Sequence, residues 1–91
     1  MSERINTTAA EEHCDAFSPE GDFAVQAQFP IRSRARLYIE GRVDPAAEWE
    51  VLGSISPRDR PSIARFAKCP QVRLRVSDNK AGDNVKAWSG E

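Results

Sequence analysis

From residue 23 onward, apolar and polar positions alternate with a period of two, the mark of strands that bury one face. Phe23, Val25, Ala27 and Phe29 alternate with Ala24, Gln26 and Gln28, and Pro30 closes the run because it has no ladder donor. Ala35, Leu37, Ile39, Gly41 and Val43 alternate with Arg34, Arg36, Tyr38, Glu40 and Arg42. Trp49, Val51, Gly53 and Ile55 alternate with Glu48, Glu50, Leu52 and Ser54. Between these last two runs Asp44, Pro45, Ala46 and Ala47 have turn chemistry, with Pro45 pre-set for the second turn position. The two runs therefore predict a β-hairpin with Trp49 on its buried face.

Residues 56–62 (SPRDRPS) predict a loop, since two prolines do not fit a sheet centre. Residues 63–66 suit a short strand or one helical turn. Val72, Leu74 and Val76 alternate with Arg73 and Arg75 in a further strand. Residues 77–83 (SDNKAGD) predict a turn in which Asn79 and Gly82 are able to take positive φ. A last strand over 84–88 puts Val85 and Ala87 on one face, Lys86 and Trp88 on the other. About six short strands with regular turn signals predict an all-β fold: a small antiparallel β-sandwich or jelly-roll-like barrel.

Residues 1–22 break the pattern. Ile5 and Phe17 are their only large apolar residues besides Met1, and turn formers are common. They predict an extended N-terminal arm (1–22) ahead of a β-sandwich domain (23–91). Thr8 to Glu11 has the form of a capping box, which allows one helical turn over 9–14 if a surface supports it. Charge divides in the same way. The arm carries six Asp/Glu against Arg4, and the rest carries twelve Lys/Arg against eight Asp/Glu, within a net charge of −1. An acidic arm on a mildly basic body suits docking, either on its own body or on a neighbour.

Ninety-one residues form one domain that buries a modest fraction of its surface, so its stability is expected to lean on a partner. Residues 1–12 lack the apolar run of a signal peptide, and no stretch is long and apolar enough for a membrane span. Cys14 and Cys69 are accordingly expected as free thiols, although a bridge between them would close a long loop.

Candidate chemistry is sparse. His13 is the only histidine, and its neighbours Cys14 and Asp15 lack the paired spacing of a zinc site. No phosphate-binding glycine loop or metalloprotease motif occurs, so no cofactor, no metal and no catalytic residue is expected. Glu48 and Glu50 flank Trp49 and read as solvent-facing residues rather than an acid/base pair. Binding is better served. Arg32, Arg34, Arg36 and Arg42 share a face with Tyr38 if alternation runs from Ile31, Arg73 and Arg75 line another strand, and Trp88 falls on a polar face. Arginine and tryptophan are the side chains that anchor interfaces. Near-neutral charge fits nucleic acid poorly.

The segments ARLYIEGRVDPAAEWEVLGSI (35–55) and CPQVRLRVSDNKAGDNVKAW (69–88) join strand, turn and Trp-bearing strand, then an alternating Val-Arg-Leu-Arg strand, turn and closing strand. This arrangement resembles the small β-sandwich virion proteins of tailed bacteriophages that decorate or cement capsids or sit at head–tail joints. The match covers about residues 35–88. Arg42 stands where that family commonly has a small serine, residues 45–47 replace its Gly-Thr turn, and the arm has no counterpart. The resemblance implies a non-enzymatic virion protein, present in many lattice-bound copies or as a homo-oligomer, that binds the major capsid protein or other virion proteins at the capsid surface. Two other readings stand beside it: a small phage-encoded inhibitor of a host defence protein, and a carbohydrate-binding module with Trp49 or Trp88 as its platform.

Overall fold

The alternation becomes two four-stranded antiparallel sheets in the computed structural model, which describes residues 2–59 and 61–91. Eight strands form among the described residues: β1 (Ser2–Thr7), β2 (Glu12–His13), β3 (Phe23–Gln28), β4 (Arg36–Arg42), β5 (Glu50–Ile55), β6 (Ile63–Phe66), β7 (Gln71–Ser77) and β8 (Val85–Gly90). One sheet has the order β1-β8-β3-β6 and the other β2-β7-β4-β5.

The order follows from one long hairpin. β4 pairs with β5, β3 with β6, β2 with β7 and β1 with β8. In every pair the two residue numbers total close to 90: Leu37 with Ile55, Phe23 with Phe66, Glu12 with Val76, Ser2 with Ser89. The chain thus folds back on itself about the turn at residues 44–47. There Asp44 accepts from the Ala47 N–H through its backbone carbonyl (2.9 Å) and from the Ala46 N–H through Oδ1 (2.8 Å). The doubled ribbon then wraps, so that β3 meets β8 and β4 meets β7, closing both sheets. This is the double-sheet jelly-roll arrangement.

Between the sheets lies one core. Phe23, Val25 and Ala27 on β3 and Val85 and Ala87 on β8 face Leu37 and Ile39 on β4, Val72, Leu74 and Val76 on β7, and Ile55. These are the apolar half of each alternation, and burying a Leu, Ile or Val side chain stabilises by about 1.5–3 kcal/mol. Phe23 stacks on Phe66 at 5.5 Å and meets Phe17 edge-on at 6.5 Å.

Three expectations change and one open alternative is settled. The segment expected as an arm, of which Met1 lies outside the described residues, supplies β1 and β2 and runs along both sheets. No helical turn forms over 9–14. The open edge of β7 satisfies that backbone instead: Cys14 N–H donates to Leu74 O (3.0 Å), and Phe17 and Val72 exchange both bonds (2.9 and 2.8 Å). Residues 63–66 are strand, paired with β3. Asp78 (φ 61°), not Asn79, shares the left-handed region with Gly82 (φ 71°). Asn79 is buried, and its amide donates to Ala9 O (3.1 Å) and Asp83 O (2.7 Å) while accepting from Asp83 N–H (3.0 Å). It ties the β1–β2 connection to the β7–β8 loop. The expected loop at 56–62 holds, with residue 60 outside the described residues.

Candidate functional site

The outward face of the β2-β7-β4-β5 sheet carries the richest chemistry. β4 and β7 pair in register, so Tyr38 lies opposite Arg75 and Glu40 opposite Arg73, all on one face. Paired residues on neighbouring strands sit close enough for their side chains to interact. Glu40 Oε1 accepts from Arg73 Nε at 2.8 Å, and Glu40 Oε2 accepts from Arg75 Nε at 3.3 Å. Only 6% of Glu40 is exposed, and the two guanidiniums that cover it supply the compensation a buried carboxylate needs.

The ladder extends at both ends. The Arg75 guanidinium lies over Tyr38 at 4.7 Å and approaches Glu11 Oε1 at 3.9 Å. Glu11 Oε1 also accepts from the Ser77 hydroxyl at 3.2 Å. At the other end Arg73 and Arg42 lie over the Trp49 ring, 4.7 and 4.3 Å from its centroid. Arg42 Nε donates to Gln71 Oε1 at 2.7 Å. A run from Tyr38 through Arg75, Glu40 and Arg73 to Trp49 and Arg42 therefore alternates aromatic, cation and anion. Each cation–π contact adds about 0.5–1 kcal/mol at an exposed site.

Trp49 reaches this face through a register shift. Ile39 pairs with Gly53 but Glu40 pairs with Val51, leaving Leu52 as an extra residue, a β-bulge. Inserting one residue reverses the side-chain parity beyond it. Val51 therefore shares the outward face with Glu40, and Trp49, two residues earlier, follows it. This corrects the expectation that Trp49 and Val51 lie on the buried face; Trp49 is half-buried and Val51 is 54% exposed. Glu48 and Glu50 are exposed as expected, and neither pairs with Arg42 or Arg73.

Of the other expected binding residues, Arg36 keeps the Tyr38 face of β4, and Arg32, Arg34 and Trp88 lie elsewhere. Arg36 opens β4, exposed and opposite Ser77. Arg34 precedes the strand, and Arg32 sits in a turn at φ 65°, so alternation does not run back to Ile31. Trp88 lies on the outer face of the opposite sheet, paired with Gln26 and Glu3. There it lines a shallow depression of about 340 Å³ with Ala24, Gln26, Ile63, Arg65 and Gly90. Its environment is separate from the arginine ladder.

His13 lies opposite Arg75 on β2, with Nδ1 3.1 Å from Cys14 O. No group of three or more metal-ligating side chains gathers among the described residues. Both cysteines are free. Burial raises the Cys14 thiol above its ordinary value, opposed by the Leu74 N–H that donates to its sulfur at 3.2 Å. Cys69 Sγ lies 3.5 Å from the Gln71 carbonyl and 3.6 Å from the Arg42 carbonyl, so its single S–H has an acceptor in either direction. No helix among the described residues is long and apolar enough to cross a membrane.

No family model, curated protein or solved structure matches the chain.

Proposed function

We propose that this chain is a non-enzymatic virion structural protein, a capsid decoration or cement protein that binds major capsid protein subunits in many copies through the outward face of the β2-β7-β4-β5 sheet. The observation that carries the reading is the ladder of Tyr38, Arg75, Glu40, Arg73, Trp49 and Arg42. Tyrosine, tryptophan and arginine dominate binding energy at protein interfaces, and here each is already held by a neighbour. A face ordered in advance loses less side-chain entropy on docking. The jelly-roll arrangement agrees by analogy, since capsid proteins use it widely, as do lectins.

A second reading, carbohydrate binding, draws on the depression beside Trp88, where an indole lies near Gln26 and Arg65. The inhibitor reading has less support. It needs a gathered acidic surface, whereas Glu11 pairs with Arg75 and Asp22 accepts from the Lys68 N–H at 2.9 Å.

Mass spectrometry of density-purified virions from the genome that encodes the chain tests the proposal. A copy number comparable to that of the major capsid protein is the expected result. Complete absence from the particle overturns it.

A further inference from the structure

We infer that the Arg42–Trp49–Arg73 corner of the ladder is the docking point for a partner-protein segment that places a single carboxylate beside apolar side chains. The inference rests on the reading of this face as the docking face and names what the face recognises. The two ends of the ladder differ. At one end Arg75 already has a carboxylate on each side: Nε donates to Glu40 (3.3 Å), Nη1 lies 3.9 Å from Glu11, and the guanidinium covers Tyr38. Glu11 immediately precedes β2 in the segment laid along the edge of β7, so the chain itself sets a carboxylate beside this end of the array.

The other end has the same components without the closing carboxylate. Arg42 Nε is held by Gln71 and Arg73 Nε by Glu40, and both guanidiniums rest on Trp49. Neither has a further ion pair among the described residues. A guanidinium fixed through Nε presents its two terminal nitrogens as a planar fork, a shape matched to carboxylate. Val51 shares this face, and Val43 follows Arg42 into the turn; both are exposed. Glu48 and Glu50 flank Trp49 in sequence and are exposed, and their charge adds to the cost of each further carboxylate a segment brings.

The test uses the folded full-length chain with Trp88→Phe, so that Trp49 is the sole indole. The probe is a short blocked peptide with one glutamate between two valines, set against its glutamine counterpart and inorganic phosphate. Fluorescence titration is expected to show saturable binding of the glutamate peptide, about ten-fold tighter than the glutamine peptide, as a charge-assisted hydrogen bond gives. Arg42→Gln removes that preference, whereas Arg65→Gln on the opposite sheet leaves it intact. Equal binding of the two peptides, no effect of Arg42→Gln, stronger binding of phosphate, or no response at about 10 mM peptide, beyond useful affinity, each overturns the inference. Failure here with the chain still abundant in virions removes the carboxylate assignment alone. Absence from virions with peptide selectivity intact removes the virion reading alone.

Discussion

Replacing Glu40 with glutamine removes the negative charge between two guanidiniums while keeping the side chain's shape. Two unit charges 4 Å apart attract by about 4 kcal/mol at an effective dielectric of 20, before desolvation is subtracted. Breaking a fully buried pair costs about 3–5 kcal/mol, and an exposed pair about 0–1. This site lies between those limits. The Glu40 side chain is 7% exposed, but those of Arg73 and Arg75 keep 21% and 29% of their surface in water. The expected loss for Glu40→Gln is therefore about 1.5–3 kcal/mol. For a domain of this size that lowers Tm by about 10 °C. Urea titration with an unchanged slope gives the value. A double-mutant cycle with Arg73→Gln isolates the pair, with an expected coupling of about 1–2 kcal/mol. A Glu40→Gln protein within about 0.5 kcal/mol of the parent, the range of ordinary surface changes, would refute the ladder as an ordered unit.

Other positions give sharper local tests. Asn79→Ala leaves the Ala9 and Asp83 carbonyls and the Asp83 N–H without their amide partner and is expected to cost about 2–3 kcal/mol in urea denaturation. Gly41→Ala places a Cβ 2.8 Å from Leu52 Cδ1 and 2.9 Å from Cys69 Sγ, so a loss of about 1–3 kcal/mol is expected by the same assay. Leu74→Ala empties a fully buried core site at a cost of about 2–5 kcal/mol. Cys14 bears on pH. Its folded pKa is raised above 9.0, so the unfolded chain loses this proton first. The contribution is full below that value and falls as pH rises through the folded pKa. The parent is thus expected to lose more stability than Cys14→Ala between pH 8 and pH 10 in paired urea titrations, and equal losses would contradict the assigned burial.

Much of the body was legible because β3, β4, β7 and β8 each keep one apolar parity. Leu37, Ile39, Val72, Leu74, Val76, Val85 and Ala87 all fall inside as alternation requires. The β4–β5 turn was legible from Asp44 and Pro45. What failed shares a physical reason. In β5 both Val51 and Leu52 are apolar, so alternation does not distinguish a regular ladder from one with a bulge. That one-residue shift moves Trp49 from the expected core face to the ladder. β1 (SERINT) carries one large apolar residue, and its second inward position is Thr7, so its strand character comes from pairing with β8. Asn79 has turn chemistry in sequence, yet its amide serves two loops distant along the chain. Of the candidate binding residues, Tyr38, Arg42, Arg73 and Arg75 meet in one array because β4 and β7 pair in register. Sequence spacing carries no sign of that pairing, nor of Glu40 at its centre.

The proposed role requires the outward face of the β2-β7-β4-β5 sheet to dock on capsid subunits. Co-sedimentation of the purified chain with virions lacking it, comparing the parent with Arg42→Gln and Arg65→Gln, tests this most directly. Saturable binding is expected for the parent and Arg65→Gln, and binding about ten-fold weaker for Arg42→Gln, as for the loss of one charge-assisted contact. Parent protein that stays in the supernatant, or Arg42→Gln that sediments like the parent, would contradict it.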